Sequence, residues 1–133
     1  MSGENVDLVR RALGAFPRGD MEEMLSFMDP ECELHSAIVG GAEGNLYRGH
    51  KGFRRWCADS FESFEELKNE WSEFRDLGDR VLAFGHVQAR GRESGAEVNS
   101  PMGWVFTVRR GKLLKAEGFL SRAEALEAAG LSE

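Results

Sequence analysis

The stretch SPMGWVFTVRRGKLLKAEGFL, residues 100–120, consists of two apolar runs joined at Arg110-Gly111, the second interrupted by one acid, Glu117. If Arg110-Gly111 is a two-residue hairpin turn, Arg109 pairs with Lys112. Counting back along the ladder then sets Phe106 opposite Lys115, Trp104 opposite Glu117 and Met102 opposite Phe119. One sheet face carries Met102, Trp104, Phe106 and Val108 against Leu113, Lys115, Glu117 and Phe119, an aromatic surface with two charges set in it. The register is sensitive to the turn. Arg is a poor first residue for a type I′ turn, and a bulge would shift every pair by one and move Glu117 to the other face.

The strand period extends upstream of this hairpin. VLAFGHVQARG, residues 81–91, alternates so that Phe84, His86, Gln88 and Arg90 share a face, and RESGA turns it into the hairpin. Before it, LKNEWSEFRDL (67–77) reads as an imperfect strand, because Trp71 and Phe74 are out of phase and require a bulge or twist. Further upstream the period is helical. His50 opens a helix with Phe53, Trp56, Cys57 and Phe61 in its stripe. A glycine-rich loop, IVGGAEGNLYRG, separates it from a short strand, ECELHSA, with Cys32, Leu34 and Ser36 on one side and Glu33, His35 and Ala37 on the other. At the start, Ser2 caps a helix with Val6, Val9, Leu13 and Phe16 on one face, and Asp20 caps a second after the break at PRGD. SRAEALEAAG closes the chain as a short helix capped by Ser121 and stopped by Gly130. The order implies one α+β domain over residues 1–133, with three N-terminal helices gathered on one face of a curved, mainly antiparallel sheet and a short helix at the end.

Bulk properties narrow the function classes. The net charge of −6, from 23 acids and 17 bases, argues against a nucleic-acid surface, since phosphate binding needs a concentrated basic face. No stretch is long and apolar enough to span a membrane, and the N-terminus lacks the apolar core of a signal peptide. Cys32 and Cys57 lack metal-ligand spacing and read as free buried thiols, which suits a cytoplasmic location. The three histidines, at 35, 50 and 86, are dispersed without metal-site spacing, and there is no nucleophile elbow or phosphate loop, so no metal and no cofactor is expected.

Four segments together, ENVDLVRRALGAFPRGDMEEMLSFMDPECELHS, YRGHKGFRRW, DLGDRVLAFGHVQARG and TVRRGKLLKAEGFLSRAEAL, resemble the SnoaL-like branch of the NTF2-like superfamily, over nearly the whole chain and in the right order. The resemblance implies a cone-shaped α+β barrel around a deep apolar pocket, and a homodimer packed through its sheets. The superfamily includes polyketide cyclases, ketosteroid isomerases and limonene-epoxide hydrolases, so the fold sets no single reaction. Glu117 in KAEGFL matches the last-strand acid of the epoxide-hydrolase branch, but FGHVQ stands where that branch has an Arg and a second Asp. His35 or Ser36 lies near the isomerase base position. The isomerases' Tyr on the first helix is missing, and the chain's one tyrosine is Tyr47.

Two roles are open for each polar candidate. Inside an apolar cavity, Glu117 would have a raised pKa and serve as an acid or base; on the rim or outer face it would pair with Lys115, Arg90 or Lys112. His35 is either a base at neutral pH or a half-exposed strand histidine. His86 and Gln88 orient a ligand if their face is concave, and meet solvent or a second copy if it is convex. His50 reads as a helix-cap residue. Tyr47 and Trp104 are the expected specificity residues, and Phe53, Trp56, Phe84, Met102, Phe106 and Phe119 the expected walls. The resulting expectation is a pocket for a small, largely apolar metabolite. Cofactor-free proton transfer by Glu117, His35 and His86 (isomerisation, cyclisation or dehydration) is one outcome, and a non-catalytic binding or dimerisation module the other.

Overall fold

Arg110 and Gly111 both take positive φ, 53° and 73°, so the expected two-residue turn forms and Arg109 pairs with Lys112. In the computed structural model, which describes residues 3–36 and 46–131, the turn joins strands β5 (Glu97–Arg109) and β6 (Lys112–Phe119). The register beyond the turn differs from the expected one. Val108 pairs with Leu113, but Thr107 pairs with Lys115, so Leu114 is an extra residue on β6. From there Phe106 faces Ala116, Val105 faces Glu117 and Trp104 faces Gly118, each one step from the pairs counted without a bulge. The physical cause lies in Leu113 and Ala116, buried to 3% and 2% exposure. They stand three apart, and a period-two strand cannot point both inward without an insertion.

The remaining elements are α1 (Gly3–Ala15), a 3-10 turn Phe16–Arg18, α2 (Met21–Ser26), β1 (Met28–His35), β2 (Leu46–Arg48), α3 (Gly49–Ser63), β3 (Phe64–Asp76), β4 (Arg80–Gly91) and α4 (Arg122–Ala128). The sheet order is β2-β1-β6-β5-β4-β3, antiparallel throughout except where β1 lies parallel to β6. β3 carries the expected bulge: its pairing with β4 slips between Trp71 and Glu73, which lets Trp71 and Phe74 share the inner face. The strands come so close there that a Cβ on Gly85 would lie 2.1 Å from the Glu70 carbonyl oxygen.

Both faces of the sheet are partly covered. Leu8 and Val9 of α1, Met24 of α2 and Phe53 and Cys57 of α3 pack with Val81, Ala83 and Phe106 on the inner face. Leu82, Phe84 and Val105 point the other way and bury Ala125 and Leu126 of α4. The caps at Asp20 and Ser121 form as read, accepting from the backbone N–H of Glu23 and Glu124 at 3.1 and 3.3 Å. Ser2 and residues 37–45 of the glycine-rich loop lie outside the described residues.

The expectation for His50 needs correction. α3 begins one residue earlier, at Gly49, and Arg48 is its N-cap without a side-chain bond. His50 instead sets its Nε2 2.9 Å from the Met28 carbonyl oxygen, tying the helix to β1. Cys32 and Cys57 are free and buried. Among the described residues no helix is long and apolar enough to cross a membrane.

Candidate functional site

Between the inner face and the helices lies a cavity of about 940 Å³. Alternation along β5 turns Met102, Trp104 and Phe106 into it, β1 contributes Leu34, and the next residue but one, Ser36, just past the strand's end, joins it. α3 adds Phe53, Trp56 and Ser60, and the β3 bulge adds Trp71 and Phe74. The aromatic rings form connected groups. Trp104 and Phe106 stack at 6.0 Å with planes 14° apart. Trp56 lies 5.3 Å from Phe16 and 5.9 Å from Phe53.

Polar groups are few in this wall. The Trp56 indole N–H donates to Ser36 Oγ at 3.1 Å, and Ser36 is 3% exposed. The Ser60 hydroxyl donates to the Trp56 carbonyl oxygen at 2.8 Å, closing its own hydrogen bonding within α3. Asn69 and the charged residues Arg10, Glu65, Lys68 and Arg92 also border the cavity. Glu65 is engaged by Arg90, whose Nε lies 2.7 Å from Glu65 Oε1.

Five of the expected ligand-binding residues, Phe53, Trp56, Met102, Trp104 and Phe106, line the cavity. Seven other candidates are elsewhere. Glu117 is half-buried on the outer face opposite Val105, with Oε2 3.8 Å from Lys115 Nζ. The same one-residue bulge that shifted the register turned it outward. His35 is its neighbour across the parallel β1–β6 pairing and also points away from Leu34 and Ser36. The structure therefore brings His35 and Glu117 side by side, outside the cavity. His35 Nε2 lies 3.5 Å from Glu33 Oε1.

Phe84, His86 and Gln88 share the outer face of β4. Phe84 is covered by the guanidinium groups of Arg122 and Arg75, 3.9 and 5.3 Å from its ring centre, and His86 meets the Asn99 side-chain oxygen. Phe119 packs with Phe84 beside α4. Tyr47 is buried at 7% exposure, and its hydroxyl donates to Asp59 Oδ2 at 2.8 Å. Burial, reinforced by the Asp59 hydrogen bond and charge, pushes this phenol up to about 12, so it remains a donor. Tyr47 thus anchors β2 to α3.

Several cavity residues were missed in the sequence. Phe16 reads as an ordinary member of the α1 stripe, and Trp71 and Phe74 carry the signal of a bulge without showing which face it serves. Arg92 sits in the turn after β4, where nothing in the local pattern marks a cavity rim.

The family model described as a SnoaL-like domain matches residues 9–116. No curated protein matches the sequence. Among solved structures, an NTF2-like protein from Burkholderia xenovorans is 25% identical, with a TM-score of 0.79 and 97% of each chain covered. TerC, co-crystallised with polyporic acid, is 23% identical, with a TM-score of 0.75, over 93% of this chain and 96% of its own. A candidate polyketide cyclase from Xanthomonas campestris pv. campestris is 21% identical, with a TM-score of 0.70, over 92% of this chain and 94% of its own. The six-stranded curved sheet, its helical filling and the family match agree, and the chain belongs to the SnoaL-like family with the NTF2-like fold.

Proposed function

We propose that the chain binds a small, largely apolar, ring-bearing metabolite in the cavity between sheet and helices. The observation that carries this reading is the stacked Trp104–Phe106 pair bordering the same 940 Å³ space as Trp56 and Phe53. Covering about 150 Å² of apolar ring surface at about 25 cal/mol per Å² corresponds to about 4 kcal/mol before ordering costs. The Trp56–Ser36 pair supplies a hydrogen-bonding point within the apolar wall. TerC, a structural neighbour of the same fold, was co-crystallised with an organic molecule, polyporic acid, which supports reading this cavity as a site for an organic ligand. Proton transfer by Glu117, His35 and His86 forms no part of the proposal, since none of the three borders the cavity.

The test is a thermal-shift and tryptophan-fluorescence screen of polycyclic ketones, steroids and aromatic polyketides, with wild type beside Trp104→Ala. A ligand at a hundredfold its Kd stabilises by about 2.7 kcal/mol, a shift of several degrees, and the shift is lost in Trp104→Ala. Stabilisation that survives in Trp104→Ala overturns the reading by placing the ligand away from this wall, and none from any compound overturns it in favour of a module that uses no ligand.

A further inference from the structure

Four charged side chains border the cavity, and their partners divide them into two kinds. Glu65 is bound by Arg90 at 2.7 Å, and Lys68 faces Glu70 at 3.4 Å. Arg10 and Arg92 pair with no carboxylate among the described residues. Arg10 spreads over the Phe74 ring at 4.4 Å. Arg92 is held more firmly. Its Nε and Nη2 donate to the Phe61 carbonyl oxygen at 3.2 and 2.9 Å, and Nη2 also reaches the Phe64 carbonyl oxygen at 3.2 Å. Its own backbone N–H donates to the Ser63 carbonyl oxygen at 2.9 Å.

Carbonyl oxygens fix a guanidinium in place without cancelling its charge, and Nη1 takes no part in these bonds. A fixed fork with a spare donor edge is the arrangement that receives a carboxylate at low ordering cost. Beside it, Phe61 borders the cavity with 58% of its surface exposed, a large apolar ring left for an occupant to cover. In a chain of net charge −6, an uncompensated cation next to an exposed ring at the cavity rim is a selective feature.

We propose that the cavity takes ring-bearing carboxylic acids, with the ligand's carboxylate received by Arg92 at the rim while its ring runs inward past Phe61. The proposal rests on the cavity being a ligand site. The probes are biphenyl-4-carboxylic acid and its neutral amide, titrated calorimetrically into wild type, Arg92→Gln and Arg92→Lys, with melting temperatures recorded for each. Wild type binds the acid about tenfold tighter than the amide, as expected for a charge-assisted hydrogen bond at a partly exposed site. The preference narrows with added salt. In Arg92→Gln it falls below twofold, through a larger loss of affinity for the acid than for the amide, and Arg92→Lys retains part of it. Equal binding of acid and amide by wild type overturns the assignment of an acidic ligand and leaves the cavity reading standing. An acid preference that survives in folded Arg92→Gln overturns the role of Arg92. If neither probe binds, the assignment of a ring-bearing acid falls, and the cavity reading is decided separately by the thermal-shift screen. Should Arg92→Gln not fold, the wild-type acid-to-amide ratio and its salt dependence decide.

Discussion

Trp104 lies across Gly118: a Cβ on Gly118 would come within 2.5 Å of the indole Cζ2 and 2.7 Å of Cε2. The glycine is thus the floor on which the Trp104 ring rests, and the β6 bulge is what puts it there. Gly118→Ala should displace the indole, costing about 1–3 kcal/mol in urea unfolding, typical of overpacking a filled site. Tryptophan emission should shift in the folded variant, and the affinity for any cavity ligand should fall. Wild-type stability together with an unchanged spectrum would mean that Trp104 does not lie over Gly118.

One residue earlier in the chain the expectation reverses. Glu117 is on the outer face with Lys115 as a distant ion partner, an arrangement worth about 0–1 kcal/mol. Glu117→Gln should change stability by less than about 1 kcal/mol and leave cavity-ligand affinity within twofold. A large loss of affinity in this variant, measured beside Gly118→Ala, would put the carboxylate inside after all.

This pair of neighbours also shows where the sequence was legible. Helix stripes and caps at Asp20 and Ser121 could be read because each depends on local spacing, and the shared side of Cys32, Leu34 and Ser36 likewise. So could the β3 bulge, since Trp71 and Phe74 are out of phase and demand one. The face of Glu117 could not be counted from the turn, because the count assumes an unbroken period of two. The clue was the Leu113–Ala116 spacing of three. For Phe84 and Phe119 the difficulty was different. α4 folds back onto the outer face, so apolar residues are needed on both sides of β4 and β6, and apolar character alone does not tell inner from outer. The parallel contact of β1 with β6 joins segments about 80 residues apart, with no local signature.

Alkaline pH should expose two buried groups. Burial pushes the Cys57 thiol up to about 12 from an ordinary value near 9, and Tyr47 is likewise raised to about 12 from near 10. Both are neutral in the folded chain when their unfolded counterparts ionise. The unfolded state therefore binds fewer protons, and stability falls as pH rises. The thiol's share is fully present below about pH 9 and is lost progressively towards 12; the phenol's begins to go above about 10. Urea midpoints followed across this range should decline for wild type and decline less for Cys57→Ala and Tyr47→Phe. A variant with the same slope as wild type would show that its group is not buried as described.

Trp56 combines two functions that substitution can separate. Its ring touches Phe16 and Phe53, and its N–H donates to buried Ser36. Trp56→Phe keeps an aromatic ring and removes the donor, so the expected loss is about 1 kcal/mol of stability from one broken hydrogen bond. An unsubstituted aromatic ligand should still bind within about threefold of wild type, because its contacts are with ring faces. A ligand whose oxygen reaches the Ser36–Trp56 pair should lose roughly tenfold, the usual cost of leaving a buried polar partner unmatched. Trp56→Ala removes the ring as well, and should weaken both ligands while lowering stability by about 2–4 kcal/mol. Calorimetric titration of the two ligands against the three proteins separates these effects. Equal losses for both ligands in Trp56→Phe would assign the residue a packing role alone; wild-type affinity in Trp56→Ala would remove α3 from the binding wall.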